Sequence, residues 1–307
     1  MVLRRQFLGA AMSAAAALPL LSRTALAAET DSFIDAHVHV WTPDTQNYPL
    51  ASGYSKRDMV PSSFTPEELF AHCKPAGVAR VVLIQMSFYG FDNRYMLSVM
   101  QLHPGVFSGV AIVDENLAAT PQNMKSLREK GVRGFRLYAD KAKSEAWSSS
   151  AGMKAMWATA ADTGQAMCLL ANPDALPAIA RMCRRYPRTR VVIDHFARIG
   201  MSGTIQPADL DNLCQLAQFD NVFVKTSAFY TLGAKKPPYT DLVPMILRLV
   251  KQFGASRLMW ASDCPYQVQD LHTYAASIGV IREHLPTLTA DEKNSLLRGT
   301  AEQVFFS

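Results

Sequence analysis

Several kinds of feature are scarce or missing in this 307-residue chain, and each absence narrows what it can be. There are only five cysteines (Cys73, Cys168, Cys183, Cys214, Cys264) and no C-x-x-C pair. That excludes a cysteine-built zinc site or a thioredoxin-like motif. The odd count leaves at least one free thiol, and the scattered positions read as small buried hydrophobes. No long basic run occurs, so no nucleic-acid partner is expected. No apolar run is long enough for a normal membrane span, so no stable membrane insertion is expected. Repeats, low-complexity tracts and interdomain linkers are also missing.

The N-terminus reads as an address rather than as fold. Arg4-Arg5-Gln6-Phe7-Leu8 looks like a twin-arginine export signal, followed by a short apolar run from Ala10 to Leu21. Ala25-Leu26-Ala27 then resembles an A-x-A cleavage site, with a retained anchor as the alternative. The expected organisation is a cleaved signal over 1–27 and one domain over 28–307. The expected partners are the twin-arginine export machinery and a small-molecule substrate, and the expected location is the periplasm. The formal charge of +5 owes three charges to Arg4, Arg5 and Arg23; the remaining 28 basic and 26 acidic residues leave a mature chain at +2.

What is present is a regular alternation. Phe33–Trp41 opens it with four β-favouring apolar residues and two histidines, His37 and His39. Residues i and i+2 of a strand share a face, so the two imidazoles can aim at one point. A polar, proline-bearing stretch runs on to about Pro66. It is too long for an ordinary connection and reads as a lid or substrate wall. Apolar runs follow at 80–86, 106–113, 131–138, 166–171, 190–194, 221–226 and 257–261, with helical patterns between them. Thr65-Pro66-Glu67-Glu68 has the chemistry of a helix start. Thr289 with Glu292 forms a capping box for the terminal segment 290–305. Eight strand–helix units over roughly 280 residues predict a single-domain α/β fold, the (β/α)8 TIM barrel. A doubly wound open sheet is the alternative, but no glycine-rich phosphate loop follows the first strand.

In such a barrel the chemistry sits at the C-terminal ends of the strands. The residues there are His37 and His39; Gln85 and Ser87; Asp114 and Glu115; Arg136 and Tyr138; Asn172; His195; Lys225, Thr226 and Ser227; and Asp263. The other four histidines (His72, His103, His272, His284) fall in helical stretches.

The blocks Ile34-Asp-Ala-His-Val-His39, Val191-Val-Ile-Asp-His195, Asn221-Val-Phe-Val-Lys-Thr-Ser227 and Arg257-Leu-Met-Trp-Ala-Ser-Asp263 resemble those of the amidohydrolase superfamily. They are similar, more narrowly, to its amidohydrolase-related (amidohydrolase 2) branch, which holds lactonases of the fuconolactonase and pyrone-dicarboxylate types and several decarboxylases. The resemblance implies His37, His39, His195 and Asp263 as the catalytic constellation. It implies either a single divalent ion, zinc by preference, on those four residues or a metal-free site with Asp263 as general base. Strand five departs from the pattern. Asn172 stands where other members carry a metal-bridging or ligating side chain, which speaks against two metals and against the usual decarboxylase ligand set. Arg136, Lys225, Gln85 and Tyr138 are the expected substrate contacts, with Tyr230 and Tyr266 more readily read as packing. The implied activity is opening of a lactone or similar cyclic ester of a small polar acid, with Asp263 activating water. A decarboxylase on the same fold, or a periplasmic binding protein that has lost catalysis, are the alternatives.

Overall fold

Every apolar run becomes a strand: β1 (Phe33–Val38), β2 (Val78–Ile84), β3 (Phe107–Ala111), β4 (Val132–Ala139), β5 (Ala166–Ala171), β6 (Val191–Ile193), β7 (Val222–Thr226) and β8 (Leu258–Trp260). They lie in sequence order, each parallel to the next. The computed structural model describes residues 32–307, which form one compact unit. The expected export signal and cleavage site fall outside the described residues. The architecture is the (β/α)8 barrel the alternation predicts.

The ring closes through very little. β8 returns to β1 by one parallel bridge, Val38 to Cys264. Its hydrogen bonds are His39 N–H to Cys264 O (2.8 Å) and Asp263 N–H to His37 O (2.9 Å). Both bonds involve residues of the expected constellation.

Strand parity sorts the side chains. Val82, Ile84, Val110, Ala166, Cys168, Val192, Phe223 and Met259 fill the barrel interior. Gly134 on β4 belongs to the same layer, for a Cβ there would meet Cys168 Sγ at 2.9 Å and Val110 Cγ2 at 3.3 Å. The floor is closed by Ala301, Val304 and Phe305 of the terminal helix. That helix starts with the expected Thr289–Glu292 capping box and runs Ala290–Asn294, a π turn Ser295–Gly299 and Thr300–Phe305. The capping box at Thr65 and Glu68 also forms.

Two expectations need correcting. β6 and β8 are only three residues long, because the chain leaves both through left-handed residues, His195 (φ 52°) and Asp263 (φ 65°). The long stretch after Trp41 is pinned beside the β2 loop by Trp41 Nε1–H to Pro61 O (2.9 Å) and Ala51 N–H to Phe88 O (2.8 Å). None of the residues lining the cavity described next comes from it, so it is not a substrate wall.

Candidate active site

The rim is built by continuing each interior row one step upward. Arg136 stands two residues beyond Gly134, Asp194 two beyond Val192 and Lys225 two beyond Phe223. β1 reaches the same end by a different device. Ile34 and Ala36 point inward, so in an unbroken strand His37 and His39 would point outward. The register shifts between Asp35 and Val38. That irregularity re-aims the row, as bulges beside active sites do. Asp35 stays on the outer side, where it accepts from Ser262 N–H (2.9 Å) and Tyr274 O–H (2.7 Å).

His37, His39 and Asp263 then converge. His37 Nε2 and His39 Nε2 are 3.3 Å apart, and Asp263 Oδ1 lies 3.5 and 3.4 Å from them. His195 Nε2 is 3.7 Å from Asp263 Oδ2, and its Nδ1 meets Ser227 Oγ at 2.8 Å. Tyr230 O–H donates to Asp263 Oδ2 at 2.8 Å. These groups face a hollow of about 280 Å³ whose lining includes His39, Arg136, His195, Arg198, Tyr230, Asp263 and Tyr266.

Beneath it lies a sealed ion pair. Lys225 Nζ is 3.0 Å from Asp194 Oδ1 and 3.1 Å from His37 Nδ1, and neither Lys225 nor Asp194 is exposed at all. Arg136 Nη1 lies 3.0 Å from His37 Nε2 and 4.0 Å from Asp194 Oδ2. Burial would raise the Asp194 carboxyl, but Lys225, His37 and Arg136 outweigh it and hold the group well below the usual carboxylate range. Burial likewise opposes ionisation of Asp263, yet the surrounding imidazoles, His195 first, keep it ionised and below its ordinary range. Burial, helped by Lys225, pushes the His37 imidazolium well down, and burial does the same to His195. Burial thus favours the uncharged form of both rings.

The atoms at the mouth fit a small divalent cation. Asp263 Oδ1 is a buried acceptor with no hydrogen-bond partner. His39 Nδ1 sits 2.9 Å from Ile84 O, which fixes its proton there and turns the Nε2 lone pair inward. Separations of 3.3–3.5 Å match the edges of a tetrahedron about zinc, roughly 3.3–3.6 Å for metal–ligand bonds near 2.0–2.2 Å. His37 Nε2 lies 3.0 Å from Arg136 Nη1, which an ion held at this nitrogen would displace. The metal-capable group comprises His37, His39 and Asp263. His195, expected as a fourth ligand, stands outside it.

The expected substrate contacts divide. Arg136 lines the cavity. Lys225 does not: it points into the barrel, where its counter-ion is Asp194. Gln85 shares the parity of Leu83, which packs against the helices, and its amide donates to Asp92 O (2.7 Å). Tyr138 has inward parity but lies past the rim, 40 % exposed, and accepts from Asn172 Nδ2 (3.1 Å). None of these three lines the cavity. Sequence reasoning passed over Asp194, although its parity with Val192 points it inward. Tyr230, more readily read as packing, is a cavity residue bonded to Asp263. Arg198 carried no signal, because its placement depends on backbone that sequence patterns do not betray. His195, Phe196, Ala197 and Arg198 are all left-handed, with φ from 52° to 60°. Such residues cost roughly 1–2 kcal/mol each, and strain of this kind persists where surrounding structure enforces it. The turn packs Phe196 and Ala197 into the core and brings both His195 and Arg198 to the cavity.

Comparison with known proteins places the chain among relatives of the same fold. A family model described as amidohydrolase matches residues 34–306. An L-fucono-1,5-lactonase of Burkholderia ambifaria is 30% identical over 236 residues, covering 76% of this chain and 80% of that protein. A 2-pyrone-4,6-dicarboxylate hydrolase of Comamonas testosteroni is 25% identical over 275 residues, covering 86% and 87%. A crystal structure of an amidohydrolase from Burkholderia multivorans with bound zinc superposes with a TM-score of 0.75 at 19% identity, covering 90% of this chain and 99% of that one.

Proposed function

The chain belongs to the amidohydrolase family, and from that premise we propose that it is a hydrolase that opens a lactone or similar cyclic ester of a small polar acid. The observation that carries this reading is the single carboxylate of the cavity, Asp263, fixed by Tyr230 and faced by three imidazoles. Ester hydrolysis needs a base for water and a polariser for the carbonyl. Asp263, ionised in the resting site, takes a proton as water oxygen bonds to the acyl carbon. Arg136, the cationic group beside the imidazoles, stabilises the oxyanion. When the ring C–O bond breaks, the proton passes from Asp263 to the leaving alkoxide. The acid formed loses its proton to solvent.

His37, His39 and Asp263 would hold one divalent ion, zinc by the chemistry of the donor set. Such an ion would supply Lewis acidity to the attacking water or the carbonyl. Lactone ring opening, followed by pH-stat titration over a panel of sugar-acid and carboxylated lactones, is expected to show turnover. Chelation is expected to reduce it, with about one ion per chain by elemental analysis before treatment. No acid release from any lactone would remove the reading. Turnover undiminished by a chelator, at no bound metal, would remove the ion alone.

No observation favours decarboxylation independently. Asn172, which replaces a family ligand, is committed to Tyr138 and to Arg198 (Nη1–H to Oδ1, 2.8 Å).

We further propose that the chain is exported by the twin-arginine route to the periplasm, on the support of Arg4-Arg5, the short apolar run and Ala25-Leu26-Ala27. Replacing both arginines by lysine is expected to leave the protein in the cytoplasmic fraction of an expressing cell; an unchanged periplasmic yield would refute this.

A further inference from the structure

Resting on the ring-opening reading, we propose that Asp35 is a positioning residue: its buried carboxylate holds the chain at His37 and the chain at Asp263 in one fixed relation. It thereby sets the distance between imidazoles and base without touching the substrate.

Asp35 is fully buried on the outer side of β1 and lines no part of the cavity. Its Oδ1 accepts two main-chain bonds, from His37 N–H at 3.2 Å and from Ser262 N–H at 2.9 Å. One oxygen thus joins the residue that carries the first imidazole to the residue just before the base. Its Oδ2 accepts from Tyr274 O–H at 2.7 Å. All three partners donate, which suits an acceptor-only carboxylate.

Both places it joins depart from regular strand. From Asp35 to Val38 the chain takes three steps, while β2 takes two from Val81 to Leu83, so β1 carries one residue extra. A bulge of this kind interrupts the ladder, and inside it the carboxylate takes up the N–H of His37. On the opposite side Asp263 is left-handed, with φ 65°. Three successive N–H groups fix that turn: Ser262 to Asp35 Oδ1, Asp263 to His37 O at 2.9 Å and Cys264 to Ser262 Oγ at 3.0 Å. Two of those three bonds end on β1.

The far oxygen ties this arrangement to the outer layer. Tyr274 opens the helix Tyr274–Glu283. Its ring stands edge-on to Trp260 of β8 with centroids 5.7 Å apart, and Trp260 Nε1–H donates to Ser277 Oγ of the same helix at 3.2 Å. One helix therefore grips β8 directly and β1 through Asp35.

Stability alone does not account for an acid here. None of the three partners is a cation, and burial pushes the carboxyl up to about 6 against the hydrogen bonds from Ser262, Tyr274 and His37. A buried carboxylate without a countercharge costs stability, and departures of that kind gather at functional sites.

Asp35→Ala leaves the two N–H groups without their acceptor. It is expected to lower kcat about 10–100-fold, since a misplacement on the order of 1 Å can cost about 100-fold. KM should change little, because Asp35 does not line the cavity. Asp35→Asn should recover most of the loss, its amide oxygen accepting both N–H bonds and its NH2 donating to Tyr274 Oη. Tyr274→Phe, a milder change that keeps both main-chain bonds, should lower kcat less, again at constant KM. Hydrogen exchange read by mass spectrometry follows the geometry without turnover. In Asp35→Ala it should quicken selectively over 33–41 and 258–266, with 166–171 of β5 protected as in wild type. Full kcat in Asp35→Ala would overturn the proposal, as would a loss that Asp35→Asn does not recover. So would exchange that quickens alike around the whole barrel, the mark of a merely structural acid. Should Asp35→Ala fail to fold, the same two readings on Tyr274→Phe decide. Selective exchange in a protein whose wild type opens no lactone would sustain the positioning and sink the hydrolase. Unchanged exchange in both segments would sink the positioning whatever the turnover.

Discussion

Asp263→Asn is expected to fold as the wild type does and to lose kcat by about 10²–10⁴-fold, the range that general-base catalysis contributes. Asparagine has the shape of aspartate, and its amide oxygen can still accept from Tyr230. It cannot accept the proton of water. The loss should therefore appear in kcat, while KM changes little. Steady-state kinetics on a turned-over lactone, beside a thermal melt, would check this. A variant that keeps near-normal turnover would show that Asp263 only shapes the site.

The second large effect is on stability. Asp194→Leu leaves the Lys225 ammonium fully buried without its counter-ion, and breaking such a pair costs about 3–5 kcal/mol. In urea melts the midpoint should fall accordingly. Asp194→Leu combined with Lys225→Met should be less damaging than the single change, since it removes the stranded charge. Asp194 is held below its ordinary range in the fold. Its stabilisation is therefore complete above the unfolded carboxylate range, near pH 4, and is lost as pH falls through the lower folded value. The double variant should lack that part of the acid-induced loss. Equal urea midpoints for wild type and Asp194→Leu at neutral pH would refute the account.

The sequence made the barrel readable because parallel strands buried on both faces are continuous apolar runs. Its eight runs needed their ends moved by at most three residues. The candidate catalytic groups were readable for a related reason: His37, His39, His195 and Asp263 each sit within three residues of a strand's C-terminal end. What failed was direction. Gln85 has outward parity, Tyr138 projects past the rim, and Lys225 lies one layer below the cavity, where only Asp194 can answer it. The i, i+2 rule applied to His37 and His39 reached the right pairing, but the register shift behind them is what turns the pair inward. Arg198 was unreadable because no residue pattern announces four left-handed residues in a row, none of them glycine.

The bridge between Val38 and Cys264 has a consequence for how this protein comes into being. The hydrogen bonds that close the ring are made by His39 and by Asp263 to the backbone of the opposite strand. Closing the barrel and bringing base and imidazoles together are thus one event. A nascent chain cannot rehearse that event, because β8 leaves the ribosome after all seven strands before it. Until then the histidines made first have no carboxylate to face, and the synthesising cell holds a chain without a catalyst.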